Sequence, residues 1–214
     1  MAKKNTQKSE CFEFAIEGNL AMFTQPMSKL SCERISYPFP TFSALCGVLK
    51  KLYYRPGIVW VVDKVRIMNE IQYASLGLIM PGYLHSRNKK RQRLVFTYLY
   101  NVKYQVQAHY ELDYRKEDKG YCNFNHGSAI RRAIRYGSDE MISLGKSGCV
   151  AYVYPEAFGT GDGYYDSEQE VLKACMFYQF EEKNAAVRFI DQEMMYGQIE
   201  FGNKESHIRY GYNK

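Results

Sequence analysis

No stretch of this 214-residue chain approaches the roughly 20 consecutive apolar residues that a membrane-spanning helix needs. The basic start, MAKKNTQKSE, runs into polar residues and an alternating pattern, where a signal peptide would need a continuous apolar segment. Six cysteines (Cys11, Cys32, Cys46, Cys122, Cys149 and Cys175) are scattered, with no CxxC pair and no Cys/His spacing suited to zinc. They read as reduced thiols, and the chain as a cytoplasmic protein without disulfides or a membrane partner. The glycine-rich GTGDGYYD at 159–166 follows neither the dinucleotide nor the Walker spacing, so it reads as a turn. Asp and Glu form no tight cluster of the two-metal type. The expectation is a protein that needs no cofactor.

What is present points to a polyanion. Lys and Arg number 29 against 23 Asp and Glu, a net charge of +6, and 20 tyrosines supply stacking faces with hydrogen-bonding tips. A modest net charge means little unless it is clustered. It is clustered in RNKKRQR, where Arg87, Lys89, Lys90, Arg91 and Arg93 would repel one another unless a counter-polyanion is expected, so phosphate contact is the preferred reading. Arg34, Arg131, Arg132 and Arg135 are weaker candidates of the same kind. The apolar fraction of 46% over this length suffices for a core, as one large domain or one domain plus a smaller one.

Periodicity orders the elements. CFEFAIEG, residues 11–18, alternates as a half-buried strand. Thr41 is a candidate N-cap for a helix carrying Leu45, Val48, Leu49 and Leu52, which Pro56 must end. IVWVVDKVRIMNEI, residues 58–71, is β-branched and reads as a strand bulged near Asp63. Residues 74–94 lose periodicity and read as a charged loop. In VFTYLYNVKYQVQAHYEL, Val102, Tyr104, Val106, Ala108, Tyr110 and Leu112 share a core face, while Lys103, Gln105, Gln107, His109 and Glu111 share a face expected to be wet. His126 stands just ahead of a second helix with the stripe Ile130, Ala133, Ile134 and a stop at Gly137. CVAYVY follows as a strand, and KACMFYQFE with AVRFIDQEMMYGQIEF suggests a small closing antiparallel sheet. Strand, helix, strand, strand, helix, strand is the order of a ferredoxin-like or RRM-like α+β fold. The expected division is a ferredoxin-like domain over 1–155, with a basic loop at 74–94, and a small antiparallel β domain over 156–214.

Several pieces, taken in order, resemble one family. ERISYPFPTFSALCGVLKKLYYRPGIVWVVDKVRIMNEIQ (33–72), NVKYQVQAHYEL (101–112), LGKSGCVAYV (144–153), FGTGDGYYD (158–166) and YGQIEF (196–201) are similar to the Cas-five family of CRISPR-associated RAMP proteins of subtype I-C. The resemblance implies an RRM-like RAMP domain with a smaller C-terminal β domain. It further implies a crRNA-processing role as a subunit of the Cascade complex, with CRISPR repeat RNA, backbone and large subunits as partners; target DNA is left open. Many members cut precursor repeat RNA without metal, using a tyrosine, a lysine and a histidine. Tyr53 in KLYYRP and His126 in NHGSAIRRAIRYG take the places of the tyrosine and the histidine. The family lysine directly precedes the histidine, and this chain has Asn125 there; Lys119 is the nearest upstream substitute.

The chemistry agrees with that assignment. RNA can be cut by its own 2′-hydroxyl if one group removes the proton, another stabilises the phosphorane and a third protonates the leaving oxygen. A histidine near a helix N-terminus tends to stay neutral, as a general base must. Tyr53, with a reference pKa of about 10, suits orientation or proton donation. Taken alone, Tyr53 reads as a helix-end aromatic covering core, His126 as a cap-region residue, and His109 as a solvated strand residue. Two functions stay open: an endoribonuclease that cuts repeat RNA and keeps the 5′ handle, or a subunit that only grips that handle. A generic RRM binder is more distant, because the RNP1 consensus is absent.

Overall fold

One long strand, residues 92–112, organises the fold. The computed structural model describes residues 9–30, 32–80, 92–112, 125–138, 140–168, 171–181 and 186–201. In chain order the elements are β1 (Phe12–Ala21), β2 (Glu33–Ile35), α1 (Phe42–Leu52), β3 (Ile58–Ile67), β4 (Gln72–Met80), β5 (Gln92–Leu112), α2 (His126–Tyr136), β6 (Tyr152–Tyr154), β7 (Leu172–Glu181), β8 (Ala186–Met194) and β9 (Gln198–Glu200), with a 3₁₀ turn at Pro26–Leu30. The main sheet runs β6-β1-β5-β3-β9. Strands β1, β3 and β4 pair antiparallel to β5, and the short β2 pairs parallel to it. Among the described residues no helix is long and apolar enough to cross a membrane.

The alternation of β1 and β5 builds the core directly. Phe12, Phe14 and Ile16 pair across from Ala108, Val106 and Tyr104, and all six are buried. Helix α1 lays Phe42, Leu45, Val48, Leu49 and Leu52 into that core. At about 1.5–3 kcal/mol for each fully buried side chain, this stripe is what holds the helix down. The Thr41 hydroxyl accepts from the Ala44 N–H at 3.2 Å, as an N-cap should. The helix stops when Tyr53 turns extended, at φ −154°, with its N–H still bonded to the Leu49 carbonyl at 2.9 Å. Strand β3 shifts register between Val62 and Lys64, which puts the expected bulge at Asp63.

Four expectations need correction. Residues 74–94 are not a continuous loop: Gln72–Met80 pairs with Tyr100–Gln92 as an arm that β2 joins at Val95–Thr97, and only residues 81–91, with Arg87, Lys89, Lys90 and Arg91, lie outside the described residues. The segment reads poorly because Leu76, Leu78 and Ile79 are all exposed, so no face alternates. The closing strands divide: β7 and β8 form their own two-stranded sheet, while β9 returns to the edge of β3. His126 is the first residue of α2 instead of preceding it, and Asn125 is the cap.

The fourth correction is the supposedly wet face of β5. Gln105 is completely buried, and His109, with Glu111, is also buried. His109 Nδ1 lies 2.8 Å from the carboxylate of Asp63 in the bulge. Residues 156–166 cross this face as a strap. The Gln105 amide donates to the Glu156 carboxylate at 2.6 Å and to the Thr160 carbonyl at 2.7 Å, and accepts from the Gly159 N–H at 3.0 Å. Arg66, opposite Gln105 on β3, donates to the Thr160 and Gly161 carbonyls and pairs with Asp166 through two nitrogens. Sequence alternation shows the polarity of this face but not the strap that consumes it.

The strap yields a stability prediction. Arg66→Ala strips a buried guanidinium from several acceptors at once, and should lower unfolding free energy by about 2–4 kcal/mol, read as a lower urea midpoint. Asp166→Asn, on the more exposed side of the pair, should lower it by about 1 kcal/mol or less. Equal midpoints for wild type and Arg66→Ala would show that the strap contributes nothing to folding.

Candidate active site

The end of α1 and the start of α2 meet at one point. The Tyr53 hydroxyl lies 2.9 Å from His126 Nδ1, across 73 residues of sequence, with the rings 6.0 Å apart and edge-on. Each partner is placed by its backbone. Tyr53 is the C-cap of α1, and its carbonyl accepts the indole N–H of Trp60 at 2.9 Å, which ties the helix end to β3. His126 opens α2 and is buried, while α2 is anchored by Ile130 and Ile134. Of the two adjacent tyrosines, Tyr53 turns inward to His126 and Tyr54 is exposed.

Tyr110 on β5 forms the floor. Its ring stands edge-on to His126 at 6.1 Å and to Trp60 at 6.0 Å, and stacks on Phe12 at 6.0 Å. Burial raises the phenol pKa of Tyr53 above its ordinary value, and the positive charge of Arg55 offsets part of that rise. Tyr110 is raised as well, by burial and then by the nearby Glu10 and Tyr53, with Arg131 opposing. Both phenols therefore keep their protons at neutral pH. The Tyr53–His126 bond can be made in either tautomer: phenol O–H donating to Nδ1, or Nδ1–H donating to the phenol oxygen.

Asn125 has a structural role. Its side-chain oxygen accepts the Ser128 N–H at 3.1 Å, and the Ser128 hydroxyl donates back to the Asn125 carbonyl at 2.9 Å. A lysine has no acceptor and cannot make this cap. Two residues on from Asn125, Gly127 lies against an ion pair. A Cβ on Gly127 would lie 2.5 Å from the Glu10 carboxylate, which is bonded to Arg131 at 2.6 Å. A side chain at this position would push the flexible end of Glu10 aside and shift its ion pair with Arg131 over the first turn of α2.

The basic candidates are dispersed. Arg131 is the partner of Glu10. Arg132 and Arg135 are exposed on α2. Arg34 donates to the Ser28 carbonyl at 2.7 Å and locks the turn before β2. Arg93 is exposed at the start of β5, on the order of 50 Å of extended strand from Tyr110. Because Met80 pairs with Gln92, residues 81–91 leave the arm at that far end. Lys119 also lies outside the described residues. Among the described residues, no group of three or more His, Cys, Asp or Glu is placed to hold a metal ion.

Sequence reasoning missed Tyr110, Glu10 and Arg55. Tyr110 was legible only as a core position, although an aromatic at a strand end facing a helix start is a usable signal. Glu10 stands at the end of the polar start MAKKNTQKSE, ahead of any periodic element. Asn125 followed by Ser128 carries a readable capping signal.

Comparison with known proteins identifies the family. The family model for the CRISPR-associated protein Cas5, in its Cas5d form, matches residues 11–202. A CRISPR pre-crRNA endoribonuclease Cas5d from Mannheimia succiniciproducens is 31% identical over 113 residues, covering 44% of this chain and 49% of the relative. The chain thus spans about half the length of the curated relative it matches. A crystal structure of a CRISPR-associated protein superposes with a TM-score of 0.74 at 25% identity, covering 92% of this chain and 94% of the other. A functionally uncharacterized protein from Streptococcus mutans superposes at 0.71 and 26% identity, covering 92% and 95%. With a family match running from the first strand past the last, the chain belongs to the Cas5 family of CRISPR-associated proteins, in its subtype I-C branch.

Proposed function

We propose that this chain binds CRISPR repeat RNA and cuts precursor crRNA by metal-independent attack of the internal 2′-oxygen, then stays on the 5′ handle within the cytoplasmic interference complex, beside backbone and large subunits. The observation that carries this reading is the 2.9 Å contact between Tyr53 and His126. The curated relative's name as a pre-crRNA endoribonuclease supports it. In the same reading, the order β6-β1-β5-β3 with α1 and α2 is a ferredoxin-like RAMP domain over 1–155, and 156–214 is a smaller β unit whose leading strap docks back onto that sheet.

In the cleavage step the 2′-oxygen bonds to phosphorus, the P–O5′ bond breaks, His126 takes the 2′ proton, and the departing 5′-oxygen takes a proton from solvent water, which the proton later released by His126 restores. With Nδ1–H donating to the Tyr53 oxygen, Nε2 is the basic nitrogen and Tyr53 orients the ring. The products are a 2′,3′-cyclic phosphate and a 5′-hydroxyl. A second reading, a subunit that grips the handle without cutting, is favoured by one observation: the position of the family lysine is occupied by the α2 cap, Asn125.

With its cognate repeat RNA in excess EDTA, the protein should leave a 2′,3′-cyclic phosphate or its hydrolysis product, and a 2′-deoxy substitution at the cut site should abolish cleavage. A magnesium requirement would remove this mechanism. Tyr53→Phe and His126→Ala should each slow single-turnover cutting by about a hundredfold or more, the scale of a positioned acid or base, with binding barely moved. Tight binding without any cutting by wild type would leave the gripping subunit as the function.

Neutralising Arg87, Lys89, Lys90, Arg91 and Arg93 together should weaken RNA binding and flatten its salt dependence. The slope should fall by about 0.7 to 0.9 for each phosphate that these side chains no longer neutralise. An unchanged slope in the folded variant would turn that end of the arm toward a protein partner instead.

A further inference from the structure

We infer that Arg55 supplies the cation that this site needs at the scissile phosphate and that Asn125 does not provide. The inference rests on the endoribonuclease reading and names a further residue for it. In-line attack puts an extra negative charge on the non-bridging oxygens of the phosphorane, and a site that cuts without metal needs a fixed positive group there. Neither Tyr53, a neutral phenol that orients the imidazole, nor His126, which is taking up the 2′ proton, meets that need.

The described cations can be sorted by what already holds them. Lys51 is committed: its ammonium donates to the Met141 carbonyl at 3.2 Å and the Ser143 hydroxyl at 2.9 Å. Arg131 is neutralised by Glu10 at 2.6 Å. Arg132 follows His126 on the same helix by about 9 Å of axial rise. Arg55 differs from all three. Its guanidinium carbon lies 5.7 Å from the centre of the Tyr53 ring. Among the described residues it has no carboxylate partner; its polar contacts are the Tyr53 hydroxyl beside it and a long 3.4 Å approach to the neighbouring Tyr54 carbonyl. It is exposed, so a phosphate can reach it.

The local backbone fixes that placement. Tyr53 caps α1, Trp60 holds the Tyr53 carbonyl, and the Ile58 N–H bonds to the Arg55 carbonyl at 3.2 Å, closing the turn through Pro56 and Gly57. Pro56 fixes its own φ and restricts Arg55 to extended geometry. The turn that ends the helix thus presents the phenol inward and the guanidinium outward beside it. A guanidinium also matches a phosphate's paired oxygens in a way a single ammonium does not.

The test is single-turnover cleavage of the cognate repeat RNA in EDTA by wild type, Arg55→Ala, Arg55→Lys and Tyr53→Phe, each with a binding titration. Arg55→Ala should cut about 100- to 1,000-fold more slowly, with RNA affinity within about threefold of wild type, and Arg55→Lys should recover part of the rate. Replacing one non-bridging oxygen of the scissile phosphate by sulfur should slow wild type more than it slows Arg55→Ala, because the variant lacks the guanidinium that senses the substitution. Wild-type cutting by Arg55→Ala while Tyr53→Phe is silent would overturn this inference and leave the proposed function standing. Absence of cutting by wild type would overturn both. A drop in rate in Arg55→Ala matched by an equal drop in affinity, with an undiminished sulfur effect, would make Arg55 a docking residue and overturn its role at the reacting phosphate.

Discussion

The 21 residues of β5 are the constraint on which this molecule depends. A single strand pairs with β1, β2, β3 and β4 along its length, so most of the sheet has no existence apart from it. Asn101 interrupts it with a positive φ of 51°, in the stretch where pairing passes from the arm to the body of the sheet. Asparagine tolerates that conformation better than most residues. Beyond it the strand has one side packed under α1 and α2 and the other under the strap. Its last turn of side chains, at Tyr110, is the floor against which His126 rests. Position along one strand thus becomes position in the site.

The two ends of β5 are chemically unlike. At one end stand buried aromatic rings, a short phenol–imidazole contact and a helix start. At the other end an arm exposes Leu76, Leu78 and Ile79 and leads into the basic run. Under the proposed function, a long RNA would engage both ends, gripped electrostatically at a distance from the reacting phosphate.

Legibility in the sequence followed the range of the interaction. Short-range signals were clear: Thr41 as a cap, Pro56 beyond the end of α1, the bulge at Asp63, and the Phe12, Phe14, Ile16 alternation. Tyr53 and His126 became candidates through family resemblance and helix boundaries; their contact spans 73 residues, and no periodicity encodes it. The arm was missed because both of its faces carry apolar residues. The burial of His109 and Gln105 was missed because the strap that meets Gln105 comes from more than fifty residues downstream. The pairing of Glu10 with Arg131 likewise joins distant segments, and it removes one of the arginines that composition alone would have given to RNA.

Trp60 carries a consequence of another kind. It is the only tryptophan in the chain, it is buried, and its indole N–H is bonded to the carbonyl of Tyr53 while its ring meets Tyr110 and Phe12 edge-on. Its emission therefore arises from the wall of the site and from nowhere else. Indole fluorescence responds to the polarity and hydrogen bonding of its surroundings, so the protein comes with an optical reporter for the junction of α1 and β3. Any ligand that loosens the Tyr53 turn, or dries it further, has a signal ready to be read without a label.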